Sequence, residues 1–296
     1  MATTQGIQRG WPPAPGHRLL GARLPPVRRI GVVLHPSRDL REPLGEIARW
    51  ARREGVRVVV AASAVRGPLP PGVDPVPEAS LARAGGILLA LGGDGTMLQA
   101  LAAGAVHGVP VLGVKLGEVS FLADVEPADL GAALAALAAH RFAIEERTML
   151  TVRDGATVAT AVNDVVLRRG TGEPLADIGL RVRGEEIARY RGDGVIVATA
   201  TGSTGYSLSA GGPLVSPALA ATIVTPLAAR GAPAGPIVLS ACEPVELRVR
   251  GATLAVEIDG RERAVVNPTA RLRVAQAGPR CRLIRLARRG ERRSAA

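Results

Sequence analysis

The sequence is short of cysteine, aromatic residues and long apolar runs, and each shortage excludes a class of protein. Two cysteines in 296 residues are too few for a disulfide framework. The longest apolar runs, residues 87–91 and 132–139, fall far short of the roughly 20 residues that a membrane-spanning helix needs. Prolines stand near the N-terminus, where a signal peptide needs an apolar segment. We therefore expect a cytoplasmic, reduced protein without a membrane partner.

Acidic side chains are scarce at both ends of the chain. Residues 1–29 contain five arginines and no acid, and residues 271–296 contain nine arginines and one glutamate. Because the whole chain has a net charge of +11, the segment between these ends has a net charge of −2. Nucleic-acid binding would also need aromatic side chains for base stacking, and only 2% of the residues are aromatic. We expect no nucleic-acid partner.

Length and apolar content favour two domains. Residues 1–29 are rich in proline, glycine and arginine without a period, which predicts a disordered leader. In residues 30–144, apolar strands alternate with helices, which predicts an α/β domain with a doubly wound parallel sheet. The strands are expected at 30–34, 56–62, 87–91 and 109–114, and the helices at 40–54, 96–103 and 127–140. Short β-rich segments then predict an all-β, sandwich-like domain over residues 145–275.

The segment Gly92-Gly93-Asp94-Gly95-Thr96 lies where the carboxyl end of a predicted strand meets a helix. Open α/β sheets bind ligands at such points, and glycines let backbone N–H groups approach a phosphate closely. A carboxylate repels phosphate, so Asp94 is chemically useful if it faces a hydroxyl group that it holds or deprotonates, or a metal ion. The alternative is that Asp94 only caps the helix beginning at Thr96.

Two further polar motifs fall in the predicted β domain. Residues 191–213 place Asp193 between two glycines and continue with closely spaced hydroxyl groups and glycines. Such a run suits a ligand with ribose and phosphate groups, or it is simply a Ser/Thr/Gly-rich loop. Asn163 and Asp164 stand at the head of a strand, where they suit either a ligand or a turn. The chain has no G-x-x-x-x-G-K-[ST] motif and no G-x-G-x-x-G after its first strand, which disfavours a P-loop enzyme and a hydride-transfer Rossmann domain.

Taken in this order and spacing, the three motifs resemble the NAD kinase family, which phosphorylates the 2′-hydroxyl of the adenosine ribose of NAD to make NADP. The likeness runs from about residue 30 to residue 286 and is most specific over residues 201–213. It implies an α/β domain followed by a β domain, with the active site in the crevice between them. It also implies that residues 276–296 return to the first domain and end in a basic tail.

The resemblance implies a role for each matched residue. Asp94 would be the catalytic carboxylate, and the phosphate-binding loop would comprise Gly92, Gly93, Gly95 and Thr96. The NAD site would be lined by Asp94, Gly95, Phe121, Asn163, Asp164, Asp193, Thr204, Gly205, Tyr206 and Ser209. The family implies Mg²⁺ or another divalent cation, ATP or polyphosphate as the phosphoryl donor, and a homodimer or homotetramer. The ligands of the metal are unknown.

This sequence departs from the family's usual residues at several positions. Glu, Pro, Ala and His are usual where Asp164, Ala200, Gly205 and Arg230 stand, and Leu-Gly is usual where Val119-Ser120 stands. Lys115 is the chain's one lysine; it either contacts a phosphate or is a solvated cation. Two other functions stay open from the sequence. One is a lipid kinase of the diacylglycerol or sphingosine type, which shares the GGDGT segment, and the other is a catalytically silent sensor that binds a dinucleotide.

Overall fold

The computed structural model describes residues 26–83, 86–117, 120–155, 157–230 and 235–286. The predicted disordered leader, apart from residues 26–29, and the basic tail beyond residue 286 lie outside these residues. Contacts divide the chain into two compact units. One unit runs to Arg147 and resumes at Arg280, and the other comprises Thr148–Pro279.

The first unit alternates strands and helices. In chain order it contains β1 (Arg29–Leu34), α1 (Arg41–Glu54), β2 (Arg57–Ala61), β3 (Val73–Val76), β4 (Ile87–Gly92), α2 (Asp94–His107), β5 (Val111–Lys115), α3 (Leu130–Ala138) and β6 (Phe142–Arg147). The second unit contains β7 (Leu150–Asp154), β8 (Thr157–Ala161), β9 (Asp164–Arg169), β10 (Ala176–Val182), β11 (Glu185–Gly192), β12 (Gly194–Thr199), α4 (Tyr206–Ser209), β13 (Ala221–Leu227), β14 (Ile237–Ser240), β15 (Val245–Arg250), β16 (Leu254–Ile258), β17 (Arg261–Val266) and β18 (Arg271–Ala275). Strand β19 (Cys281–Leu286) belongs to the first unit. Short 3₁₀ helices occupy Ala62–Ala64, Glu78–Ser80, Pro127–Asp129 and Thr201–Thr204.

The sheet of the first unit has the order β3-β2-β1-β4-β5-β19-β6. Strands β1 to β5 are parallel, β19 pairs in parallel with β5, and β6 pairs with β19 in the antiparallel sense. The chain moves outward from β1 through β2 to β3, and it then places β4 and β5 on the opposite side of β1. The loops after β1 and β4 therefore leave the sheet at a topological switch point, where α/β proteins bind ligands.

Both faces of this sheet are covered by helices. Strand β4 is buried at every position, because alternate side chains face different helices. Leu89 belongs to a core that also contains Leu44 of α1 and Leu134 of α3. On the opposite face, Leu88 lies beside Gly104 of α2. The predicted doubly wound α/β architecture is confirmed.

The second unit consists of two six-stranded antiparallel sheets. Their orders are β11-β10-β15-β18-β7-β8 and β14-β13-β12-β9-β16-β17. One buried core takes side chains from both sheets, including Leu180 and Leu247 of the first and Leu167 and Val197 of the second. Alternating inward residues on facing sheets define a sandwich. The predicted all-β, sandwich-like architecture is confirmed.

The structure differs from the sequence prediction at several element boundaries. The single strand expected at 158–167 is two strands, β8 and β9, because the chain bends at Val162 and Asn163. The helix expected from residue 96 begins at Asp94. Six strands, β3, β6, β11, β13, β17 and β19, were not predicted. Strand β6 ends at Arg147, so the boundary between the units lies three residues beyond the predicted one.

Within the described residues, no helix combines the length and apolar character that crossing a membrane requires.

Candidate active site

Asp94 is the first residue of α2, at the carboxyl edge of the parallel sheet. The N-cap residue is Gly93, and no side chain caps this helix, so the alternative that Asp94 is only a helix cap is wrong. Instead its carboxylate accepts three hydrogen bonds from a neighbouring loop. Ser120 Oγ and the Leu122 N–H donate to Oδ1 at 2.5 and 3.3 Å, and the Phe121 N–H donates to Oδ2 at 3.2 Å. A carboxylate offers about four lone-pair sites. Among the described residues, these donors therefore leave one acceptor position, on Oδ2.

The glycines around Asp94 are of two physical kinds. A Cβ on Gly92 would lie 2.2 Å from Thr96 Oγ1, so this glycine allows strand and helix to pack closely. Added Cβ atoms on Gly93 and Gly95 would meet nothing within 4 Å, and neither residue has a positive φ. Packing therefore does not require glycine at these two positions, although glycine is a favoured residue at an N-cap such as Gly93. What the two residues provide is bare backbone in front of the helix N-terminus.

The other predicted residues of this edge are close to the loop after β4. Thr96 is buried against Gly92. Phe121 is half-buried and contributes its N–H to Asp94. The Lys115 ammonium lies 3.2 Å from Glu126 Oε1, so it already has an anionic partner; its contact with a phosphate stays a prediction.

The loop after β1 contributes a cation that the sequence reasoning missed. Arg38 lines a cavity of about 230 Å³ formed by residues 34–44 and 64–70. Arg38 Nη2 lies 3.7 Å from the position that a Cβ on Gly117 would take. No described residue forms an ion pair or hydrogen bond with Arg38. The signal was available, since Arg38 follows the first strand by four residues, where a parallel sheet presents its ligand-binding loops.

In the second unit, a β-turn fixes the backbone of Asn163 and Asp164. Asp259 and Gly260 connect β16 and β17 and have φ values of 48° and 73°, the geometry of a two-residue hairpin turn. The Asp259 carboxylate accepts the N–H groups of Val162 and Asn163 at 2.9 and 2.7 Å, and that of Asp164 at 3.2 Å. These bonds hold the bend between β8 and β9. The sequence reasoning did not include Asp259 in the site, although Asp-Gly between two strands predicts this turn.

Polar atoms of the Asn163 and Asp164 side chains lack hydrogen-bond partners among the described residues. Asn163 Oδ1 is buried without a hydrogen-bond partner. The Asp164 side chain is buried, and no described residue donates a hydrogen bond to its carboxyl group. Burial, reinforced by the nearby Asp259 and Glu257 carboxylates, raises the pKa of Asp164 to about 7. Buried polar groups are normally paired, so both side chains are available to a ligand.

Gly202 and Gly205 pack against this pair. A Cβ on Gly202 would lie 2.2 Å from the Asn163 carbonyl oxygen, so only glycine fits there. A Cβ on Gly205 would lie 3.4 Å from Asn163 Nδ2 and 3.8 Å from Asp164 Oδ2, which is ordinary contact. The Gly205 position therefore borders the two free polar groups without being forced to be glycine.

Several hydroxyl groups of the 199–213 segment serve the fold. Thr199 Oγ1 donates to the Val162 carbonyl at 2.8 Å, and Ser203 Oγ donates to a carbonyl three residues earlier at 2.7 Å. Ser207 and Thr225 share a buried hydrogen bond of 2.8 Å. These side chains are not free to bind a ligand.

The predicted ligand-binding residues of this segment lie further out. Tyr206 is 44% exposed, and Ser209 is exposed. The half-buried Thr204 donates its hydroxyl to the Thr201 carbonyl at 3.2 Å. The large exposed ring of Tyr206 is the side chain here best able to stack on a base.

Asp193 also stands between two glycines, but for a different reason than Asp94. A Cβ on Gly192 would lie 2.6 Å from the Leu227 carbonyl oxygen, and one on Gly194 would lie 2.0 Å from that of Leu167. Neighbouring backbone therefore requires both glycines. Asp193 Oδ1 accepts a hydrogen bond of 2.7 Å from Arg169 Nε. Its contact with NAD stays a prediction.

Two family models and several known proteins match this chain. Residues 78–142 match the model of the ATP-NAD kinase N-terminal domain, and residues 162–286 match that of the ATP-NAD kinase C-terminal domain. The NAD kinase of Heliobacterium modesticaldum is 37% identical over 275 residues, which cover 89% of this chain and 94% of that protein. The NAD kinase of Symbiobacterium thermophilum is 41% identical over 207 residues, which cover 68% and 73%.

The chain belongs to the NAD kinase family. The predicted family is confirmed, and neither the lipid kinase nor the silent sensor is supported by these relatives. The two matched ranges contain every site residue predicted from the sequence, whereas Arg38 lies outside them.

Solved structures share the fold of this NAD kinase family member. A yeast NADH kinase complexed with NADH aligns with a TM-score of 0.77 at 24% identity, over 89% of this chain and 84% of that chain. An NAD kinase from Archaeoglobus fulgidus in complex with ATP aligns with a TM-score of 0.68 at 24% identity, over 86% and 92%.

The buried Asp164 makes the stability of this family member depend on pH. Because its pKa is about 7 in the folded chain and about 3.9 in an unfolded one, the folded state binds an extra proton between these pH values. This contribution to stability is fully present below pH 4 and is lost as the pH rises through 7.

We therefore expect D164N, which is neutral at every pH, to gain stability relative to the unaltered chain as the pH rises from 5 to 8. Thermal unfolding of both proteins across this range measures the difference. A difference that does not change with pH would contradict the raised pKa.

Proposed function

We propose that this chain transfers the terminal phosphoryl group of ATP to the 2′-hydroxyl of the adenosine ribose of NAD, with Asp94 as the catalytic carboxylate. The observation that carries the proposal is the free acceptor position on Asp94 Oδ2, set between two glycines that packing does not require. The family membership supports the reaction, and the geometry supports the assignment of its residues.

The reaction needs a hydroxyl group that is oriented and relieved of its proton. In the proposed step the ribose 2′-OH donates a hydrogen bond to Asp94 Oδ2, its oxygen forms a bond to the γ-phosphorus, and the bond from that phosphorus to the β,γ-bridging oxygen breaks. ADP leaves, and Asp94 takes the proton before releasing it to solvent. Positioning and charge neutralisation dominate phosphoryl transfer, so a carboxylate held by three hydrogen bonds is well suited to this role.

The bare backbone around Asp94 supports a phosphate-binding role. We assign the donor phosphates to the loop of Gly92, Gly93, Gly95 and Thr96, where the N-terminal N–H groups of α2 favour anions. Arg38 extends this assignment, because its free guanidinium lines the neighbouring cavity at the same edge of the sheet.

A divalent cation fits this edge only together with phosphate. Within the part of the chain that the structure describes, no group of three or more His, Cys, Asp or Glu side chains is arranged to hold a metal ion. Mg²⁺ commonly uses one or two carboxylates, substrate phosphates and water. Because the free acceptor position of Asp94 is assigned to the hydroxyl group, an ion that arrives on the donor would be held by the donor phosphates and water. When bound, such an ion neutralises phosphate charge.

The predicted NAD residues receive roles that follow from their exposure. Asn163 Oδ1 and the Asp164 carboxyl group would bind polar groups of the adenosine half, with Gly205 leaving space beside them. Tyr206 would stack on a base, and Phe121, Asp193, Thr204 and Ser209 would complete the lining. We further propose a cytoplasmic location and a homodimeric or homotetrameric assembly, as the family resemblance implies.

Substitution of Asp94 tests the assignment of the catalytic residue. D94N removes the charge and the free lone pair while keeping the side-chain shape, and we expect turnover with NAD, ATP and Mg²⁺ to fall by roughly 10²-fold or more. The exposed Asp129, replaced by Asn, serves as a charge-matched control. Turnover of D94N close to that of D129N would refute the role of Asp94.

The acceptor atom is tested with two substrate analogues. NAD with a 2′-deoxyadenosine half should bind and accept no phosphate, because it lacks the reacting hydroxyl group. Nicotinamide mononucleotide, which lacks adenosine, should neither bind nor react. Phosphorylation of either analogue at the rate of NAD, measured with labelled ATP, would overturn the proposed reaction.

Arg38 is tested by its effect on the donor alone. R38A should raise KM for ATP several-fold, since one phosphate contact is lost, and leave KM for NAD unchanged. R49A, which removes an exposed arginine of α1 outside the cavity, is the matched control. Equal KM values for ATP in the two variants would remove Arg38 from the donor site.

A further inference from the structure

The loop that binds Asp94 is itself anchored by a residue from the distant strand β19. Arg285 Nη1 donates to the Leu122 carbonyl at 3.4 Å and forms an ion pair with the Asp124 carboxylate. Leu122 and its neighbours supply the three hydrogen bonds that Asp94 accepts from described residues. A continuous path of direct contacts therefore runs from Arg285 through residues 120–124 to Asp94.

The inner end of Arg285 is fixed just as firmly. Its Nε lies 2.6 Å from Glu145 Oε2 on β6, and Arg147 Nη2 lies 2.6 Å from the other oxygen of Glu145. Glu145 and Arg147 are 2% and 6% exposed. Two acids and two arginines balance the charge of this group. Breaking a buried pair of this kind is costly, so the guanidinium of Arg285 has little freedom to move.

We propose that Arg285 and Asp124 are positioning residues for the reaction: through residues 120–122, they hold the Asp94 carboxylate with one lone pair of Oδ2 aimed at the acceptor hydroxyl. This inference rests on the proposed role of Asp94. It assigns a task to β19, whose residues are more than 150 positions away from the loop in the sequence. The planar fork of arginine suits the task, because one side chain binds Glu145, Asp124 and the Leu122 carbonyl together.

A neighbouring ion pair on the same two strands provides a matched control. Arg282 of β19 lies 3.0 Å from Glu146 of β6, and its other contact is the Gly108 carbonyl, away from the Asp94 loop. The Asp124 and Glu146 side chains are 39% and 19% exposed, and neutralising either one leaves both ion pairs of the buried Glu145 in place. D124N and E146Q thus remove the same kind of interaction, and only D124N releases the loop.

The experiment compares kcat and KM of D124N and E146Q, with rates normalised to folded protein. We expect D124N to lower kcat about tenfold or more and to change KM for NAD by less than about twofold. A small misplacement of a catalytic group slows the chemical step without weakening substrate binding. D124E, which keeps the carboxylate, should restore part of the lost kcat. E146Q should match the unaltered chain in both constants. Equal kcat values for D124N and E146Q would overturn the proposal.

A double-mutant cycle separates positioning from general stability. S120A removes one of the three hydrogen bonds that link the loop to Asp94, so adding D124N to S120A should lower kcat by less than D124N alone does. Independent, multiplicative losses would contradict a shared path. R285K keeps a cation beside Glu145 but loses the fork, and it should lower kcat as D124N does; an unchanged kcat for R285K would also overturn the proposal. If the unaltered chain makes no NADP, the role of Asp94 fails and this inference fails with it.

Discussion

The placement of strands on both sides of β1 creates the opening at which the first unit can bind a ligand. Because β2 and β3 lie on one side of β1 and β4 and β5 on the other, the loops after β1 and β4 diverge at the carboxyl edge of the sheet. One loop carries Arg38, and the other carries Asp94 between bare glycines. A parallel sheet offers few such openings, since helices cover both of its faces. The glycine-rich segment therefore occupies the position where the fold leaves room for a ligand.

The chain contains two Gly-Asp-Gly segments, and the contacts around each segment show whether packing requires its glycines. At Gly192 and Gly194, neighbouring carbonyl oxygens leave no space for a Cβ, and Asp193 is paired with Arg169. At Gly93 and Gly95, nothing lies within 4 Å of an added Cβ. The first pair of glycines is explained by folding. Packing does not explain the second pair, which our proposal assigns to a ligand that needs access to the backbone.

The sequence predicted the architecture of both units because their signals are local. Alternating strands and helices in one half and short strands in the other required no knowledge of tertiary contacts. Strand β19 was missed because its place in the sheet depends on β5 and β6, which are far away in the sequence. Strand β11 was missed because three of its first five residues are charged and its side chains are mostly exposed.

Sequence patterns also predicted only those residues of the candidate site that belong to local motifs. Asp94, Asn163 and Asp164 belong to recognisable motifs, whereas the groups that hold them do not. Asp259 and the loop of residues 120–122 act through contacts that span 26 to 97 positions in the sequence. The sequence also did not show which hydroxyl groups serve the fold, because Thr199, Ser203 and Ser207 differ from the exposed Ser209 only in what surrounds them.

In the proposed mechanism, one lone pair of Asp94 Oδ2 is reserved for the acceptor hydroxyl. A crystal structure of this chain with NAD tests it most directly. We expect the adenosine ribose O2′ to lie within about 3.2 Å of Asp94 Oδ2, while the hydrogen bonds from residues 120–122 to the same carboxylate are kept. A complex in which O2′ contacts a different carboxylate, or in which NAD presents its nicotinamide half to Asp94, would contradict it.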